Sequence, residues 1–231
     1  MKRFYTDVSV NSGNDAYWIE LDGRPVKTAL GNRQMLPNRA LAEDMAQEWS
    51  AQGDPIDVNL FRRRDLADYA IDLISPDTDA AAAKLLPFLE TDTLCYRAGP
   101  DEPFFRRQEE IWEPIIERFE QDEGIRLERV SGIVHRPQPD ASLAKMRERL
   151  AAMDHFALAS LQSMTSLAAS LSIGLLAMAE DADADALWNA ANLEEDWQIE
   201  QWGEDSEAQA VRKRRTADFM NAFEFARLAR A

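Results

Sequence analysis

Residues 156–179, FALASLQSMTSLAASLSIGLLAMA, run their whole length without a charged side chain, in a chain that is 29% Asp, Glu, Lys and Arg. A segment this apolar must be buried, either in lipid or beneath other helices. The length suits a membrane span. Its composition does not. Ser160, Gln162, Ser163, Thr165, Ser166, Ser170 and Ser172 are spread through it, and Asp154 and Glu180-Asp181 flank it. Lysine, arginine and aromatic belts mark the ends of spans, and none is present. Hydroxyls that bond back to their own helix are tolerated in a protein core. The run is therefore expected to be a buried central helix with no membrane span.

The other segments fit an α+β protein. Phe4, Val8 and Val10 alternate, and Tyr17-Trp18-Ile19-Glu20-Leu21 is aromatic and β-branched. Asp22-Gly23 then supplies the positive φ pair of a two-residue hairpin turn. Residues 24–28 return alongside, with Pro25 marking an edge, and residues 34–36 form a third short strand. Past Pro37 the period becomes helical. Asn38 is a candidate N-cap, Leu41, Met45 and Trp49 share one face, and Gly53 closes the helix. A second helix is expected to turn Leu66, Tyr69, Ala70 and Leu73 inward as far as Pro76, and a further one covers 77–89, interrupted near Pro87. Residues 93–96 read as a strand joining the N-terminal sheet. Residues 102–123 form an amphipathic helix kinked or started at Pro114. Residues 125–127 and 132–135 read as a hairpin. Helices follow at 142–152, through the uncharged run, at 183–201 and at 205–229. The expected division is a small antiparallel β-rich domain with one helix over residues 1–60 and a larger, mostly helical domain over 61–231.

The balance of 26 basic against 42 acidic residues gives a net charge of −16. Such a surface repels phosphate backbones and anionic lipid, which argues against nucleic acid as a partner. The single cysteine, Cys95, excludes an internal disulfide and reads as a buried structural thiol. No signal or transit pattern precedes the first strand, consistent with a cytoplasmic protein. Glycine-rich phosphate loops, nucleophile elbows and paired metal-binding histidines are absent from the sequence. His135 reads as a turn residue, and His155 as a helix-start or satisfied core histidine. No catalytic residue, metal ligand or cofactor is expected. Two basic clusters, Arg62-Arg63-Arg64 and Arg212-Lys213-Arg214-Arg215, read as solvated helix faces paired with local acids, or as a rim that docks an acidic patch.

The most informative stretch is LEEDWQIEQWGEDSEA, residues 193–208. Gly203 ends one helix, and Glu204, Asp205 and Glu207 fall at the start of the next, where the helix dipole stabilises anions. Trp197 and Trp202 border the turn, with Gln198 and Gln201 beside them. Two non-enzymatic readings stand here. One is a helical hairpin with tryptophans in the core and acids as caps. The other is a protein-binding corner, since aromatic anchors beside fixed charge make hot spots. A third, enzymatic reading makes Glu204 and Asp205 acid–base groups or metal ligands in an acidic cleft.

The order of motifs resembles the ATP synthase assembly chaperone family. The resemblance rests on Trp18 with Leu21-Asp22-Gly23-Arg24-Pro25-Val26-Lys27-Thr28, on Leu36-Pro37, Leu41-Ala42 and Glu48-Trp49, and on Ala70-Ile71-Asp72. It continues through Asp92-Thr93-Leu94-Cys95-Tyr96-Arg97, Arg107-Gln108 with Trp112 and Pro114, and Gln138-Pro139. It ends on Gln198-Ile199-Glu200 with Trp202-Gly203-Glu204-Asp205. The chain departs from the family pattern at Phe61-Arg62-Arg63-Arg64-Asp65, at Ala29 in place of a proline, and at Trp197 in place of a phenylalanine. The resemblance implies a non-catalytic holdase, here bacterial, that shields the α subunit of the ATP synthase catalytic head until the β subunit pairs with it. It also implies a functional acid at Glu204, with Asp205, Glu207, Trp202 and Gln198 as partner-binding neighbours.

Overall fold

The computed structural model describes residues 1–132 and 136–231. It is α+β, with a small antiparallel sheet near the N-terminus and a larger helical part. The chain divides into two compact units. One holds residues 1–78, 154–160 and 221–231, and the other holds 79–153 and 161–220. The first unit thus holds residues 61–78 and two later stretches of chain in addition to the 1–60 expected for the smaller domain.

In the first unit, β1 (Val8–Gly13), β2 (Ala16–Leu21) and β3 (Arg24–Pro25) form an antiparallel sheet in that order. The turns at Asn14-Asp15 and Asp22-Gly23 have positive φ at both residues, which matches the twist of the strands they join. Asp22 accepts from the backbone of Thr6 and Asp7 at 3.1 and 2.8 Å, tying the entry of β1 to that turn. Leu36 bridges to Tyr17 as the third expected strand. Helix α1 (Arg39–Ser50) is capped by Asn38, whose side chain accepts from Leu41, and it buries Leu41, Ala42, Met45 and Trp49. It ends at Ala51 rather than at Gly53.

Helix α2 (Arg62–Tyr69) begins on Glu48, which accepts from the backbone of Arg63 and Arg64 at 2.8 and 3.0 Å. It runs on into a π-helical turn at Ala70–Ile74. The wider turn changes which side chains face inward. Leu73, expected inside, is 61% exposed, and Asp68 and Asp72 are buried instead. Their carboxylates hold the 28–34 turn. Asp72 accepts from the Thr28 hydroxyl, the Asn32 amide and the Leu30 backbone at 2.7–3.0 Å. Asp68 accepts from Ala29 and Gln34.

In the second unit, α3 (Thr78–Ala83) and α4 (Leu86–Glu90) lead to a 3₁₀ turn at Thr93–Cys95. Strand β4 (Tyr96–Arg97) follows, then α5 (Pro103–Glu123), which passes Pro114 without ending. Strand β4 does not join the N-terminal sheet. It pairs in parallel with β5 (Val130–Ser131), while the second strand of the expected 125–127 and 132–135 hairpin falls largely outside the described residues. Ile133, Val134 and His135 lie outside the described residues. After α6 (Asp140–Ala151) come α7 (His155–Ala168) and α8 (Leu171–Ala177).

The uncharged run is thus two helices, not one. Ala169 takes a left-handed φ of 49°, and Ser170 caps α8 by accepting from Ile173. Asp92, fully buried, accepts from Leu94 at 3.1 Å and from Ser172 at 2.9 Å, while Thr93 donates to the Ala169 carbonyl. Thr165 and Gly174 meet across the bend, where a Cβ on Gly174 would lie 2.3 Å from the Thr165 hydroxyl. Among the described residues no helix is long and apolar enough to cross a membrane. The expected helix at 183–201 is also two, α9 (Ala184–Ala191) and α10 (Leu193–Trp202), separated at buried Asn192. Helix α11 (Ser206–Ala229) closes the chain.

Candidate functional site

The corner between α10 and α11 is built from both sides. On α10, Trp197 stacks on Phe104 with ring centroids 5.4 Å apart, and the Arg107 guanidinium sits over the same indole at 5.8 Å. Arg107 also binds Glu200 at 2.5 Å. Arg212 on α11 pairs with Asp196 at 2.8 Å and with Glu195 at 3.5 Å. These bonds use part of the acidic charge of α10 internally and fix the helix. They also show the 212–215 basic cluster pairing with local acids.

Beyond Trp202 the chain turns at Gly203, with φ 87° and ψ 172°. A side chain would meet nothing within 4 Å there, so the backbone conformation, not space, calls for glycine. Asp205 caps α11 by accepting from Glu207 at 2.7 Å and Ala208 at 3.1 Å. Glu207 lies in the first turn of α11, where its charge suits the helix dipole. Trp202 is 79% exposed, and residues 200–211 are all exposed. Glu204 makes no hydrogen bond or ion pair among the described residues.

The structure therefore brings Trp202, Glu204, Asp205 and Glu207 onto one exposed corner. Gln198 lies one helical turn before Trp202, exposed, and donates to Glu194 at 3.4 Å. The two tryptophans of the motif part company: Trp197 packs, Trp202 does not. The acidic-cleft reading meets a different surface, since Glu204 and Asp205 are both exposed and the Asp205 carboxylate is engaged as a cap. Among the described residues no group of three or more His, Cys, Asp or Glu is placed to hold a metal ion. Cys95 is buried, and burial pushes its thiol well above the ordinary range. His155 begins α7 against Phe156, and burial lowers its pKa.

The other motifs quoted above are occupied inside the fold. Glu48 caps α2, Asp72 holds the 28–34 turn, and Asp92 and Thr93 hold the bend at Ala169. Arg97, 5% exposed, binds Glu113 at 2.5 Å; Gln108 accepts from Ala98; Gln138 accepts from Glu128. Sequence reasoning did not separate these internal latches from the exposed corner. The edge at residues 24–28 is closed by Pro25, by the Lys27–Arg33 bridge and by the bond from Thr28 to Asn32. The open edge is β1.

Fold and site together define an α+β protein whose distinctive surface is an aromatic and acidic corner. A family model described as ATP12 chaperone protein matches residues 2–120. The mitochondrial protein atp12 of Schizosaccharomyces pombe is 24% identical over 226 residues, spanning 91% of this chain and 76% of that protein. The mitochondrial protein ATP12 of Saccharomyces cerevisiae is 27% identical over 259 residues, spanning 92% and 79%. The crystal structure of Atp12 from Paracoccus denitrificans matches with a TM-score of 0.94 and 32% identity, over 99% of this chain and 98% of that one. The chain belongs to the ATP12 chaperone family, a family of ATP synthase assembly chaperones.

Proposed function

We propose that this protein is a non-catalytic holdase that binds the unassembled α subunit of the ATP synthase catalytic head. It covers the subunit-interface surface of that client and releases it when the β subunit pairs with it, in a bacterial cytoplasm. The observation that supports a role for the corner is the contrast between motifs. Most of the family-like polar residues are bonded internally, whereas Trp202 stands 79% exposed and Glu204 has no partner among the described residues. An exposed indole beside an uncommitted carboxylate serves no evident purpose in the fold and suits a client surface with an apolar pocket and a basic group. Gln198, Asp205 and Glu207 border that contact.

Glu204→Lys is expected to leave unfolding within about 0.5 kcal/mol of the parent, because no bond is lost. It is expected to weaken α-subunit capture about tenfold or more. Trp202→Ala is expected to cost about 2 kcal/mol of binding, roughly thirtyfold. Asp205→Ala differs from both, since loss of the cap lowers stability by about 1 kcal/mol. The measurements are pull-down of separate α and β subunits and suppression of α-subunit aggregation. A folded Glu204→Lys protein that protects the client as well as the parent removes Glu204 from the reading, and equal capture of α and β subunits removes the selectivity.

A further inference from the structure

We propose that the outer edge of β1 takes up an extended segment of the client as an added strand, a contact separate from the Trp202 corner. The register gives the geometry. Val8 pairs with Leu21 and Gly13 with Ala16, one to one and without a bulge. Asp22 donates to the Asp7 carbonyl, which makes 7 and 22 a hydrogen-bonded pair and fixes the alternation along the strand. Residues 9, 11 and 13 therefore bond inward to β2. On the far side of β2, Tyr17 bonds to Leu36 and Ile19 accepts from Val26, as the same alternation requires. Val8, Val10 and Ser12 are left with N–H and C=O directed to the free edge, and none of these groups has a partner among the described residues.

Natural sheets blunt such edges with lysine, proline, a bulge or a very short strand. Strand β1 has six residues, VSVNSG, with none of the first three devices. The opposite edge does carry them, in Pro25 and the 28–33 turn. An unprotected edge is the template for β-strand addition, in which backbone hydrogen bonds hold an extended peptide.

Charge selects the occupant. A second copy of this chain would bring another net charge of −16 against the first, so self-pairing works against repulsion. Strand β1 itself is uncharged, while Asp7 and Asp15 stand exposed just beyond its two ends. The segment that fits is a short, uncharged, β-prone run with lysine or arginine at its ends. That the α subunit supplies it rests on the proposed function; the strand chemistry does not.

The test is residue-resolved amide exchange on the whole protein. Exchange at Val8, Val10 and Ser12 is expected to slow by about tenfold or more with unassembled α subunit, and with a Thr/Val peptide bearing a lysine at each end. The same peptide with glutamate ends should give no protection. Ser12→Pro removes an outward N–H and no internal bond, so it should weaken client capture while leaving the unfolding midpoint near the parent value. Should this variant lose its fold, the exchange data on the parent still decide. If the α subunit is captured while these three amides exchange as in the free protein, the edge proposal is overturned and the proposed function stands. If no α subunit is captured but the lysine-ended peptide protects β1, the edge proposal stands and the client assignment falls. Protection that rises with protein concentration alone identifies a second copy as the occupant and overturns the proposal.

Discussion

Arg129→Met is expected to lower the unfolding free energy by about 3 kcal/mol, because it leaves the buried carboxylate of Glu120 with only the solvent-exposed Arg126 as counter-charge. Arg129 bridges two acids on the same face of α5, about two turns apart. It binds Glu113 at 2.8 Å and makes a close ion pair with Glu120, which is buried; it also donates to the Leu127 carbonyl. Arg97 backs Glu113, and exposed Arg126 reaches Glu120 at 2.9 Å, so the network is shared, but among the described residues Arg129 alone touches both acids. Arg129→Lys should recover only part of the loss, since an ammonium cannot reproduce the planar fork. Adding Glu120→Gln to Arg129→Met should recover part of the stability by removing a buried charge that Arg126 alone compensates from solvent, an interaction a double-mutant cycle measures directly.

The same network sets a pH dependence. Burial pushes Glu113 and Glu120 upward, but their bonds to Arg129 and, for Glu113, to Arg97 outweigh it, so both lie below the ordinary carboxylate value of 4.5. A carboxyl lowered on folding contributes stability above its unfolded value, and that contribution is lost as pH falls through the folded one. The parent should therefore weaken progressively from about pH 4.5 downward, and Arg129→Met should show a shallower acid slope over that interval. Urea unfolding at neutral pH and across the acid range reads both effects. Equal slopes in the two proteins would take Arg129 out of the explanation.

Asp92→Ala is the second large effect, about 2–5 kcal/mol, as two buried backbone N–H groups, those of Leu94 and Ser172, lose their acceptor. Burial raises the Asp92 pKa, so the neutral Asp92→Asn side chain, which keeps one acceptor oxygen, should cost less than alanine. Amide exchange should place the damage at the start of α8 and in the 3₁₀ turn. Damage spread evenly over the unit would show that the carboxylate is not a local latch.

Much of the local structure was legible in the sequence because local chemistry decides it. Asp22-Gly23 permits one kind of turn, and Asn38 ahead of an apolar stripe permits one kind of helix start. The misses share a physical cause, namely partners distant in sequence. At Ala169 the local signal is Ser170, one of seven polar residues spread through the run and so not distinctive; Asp92 and Thr93, some 76–80 residues earlier, hold the bend. Leu73 read as core, but the π-helical turn exposes it and buries Asp72 against the 28–34 turn instead. At the corner, sequence offered two tryptophans of equal standing. Phe104 and Arg107 take Trp197 and leave Trp202 in solvent, a choice made 93 residues away.

Asn38 does more than begin α1. Its side-chain amide donates to the carbonyls of Leu228 and Ala229, both at 2.8 Å, so one residue caps the start of one helix and the end of another across 190 positions. Phe225 and Ala226 are buried in the same unit. During synthesis, the N-terminal sheet and α1 must therefore wait roughly ten to forty seconds for the residues that complete their core. Chains that terminate early emerge with that face uncovered and open to proteolysis, so translation past Ala229 becomes the checkpoint for a finished N-terminal unit.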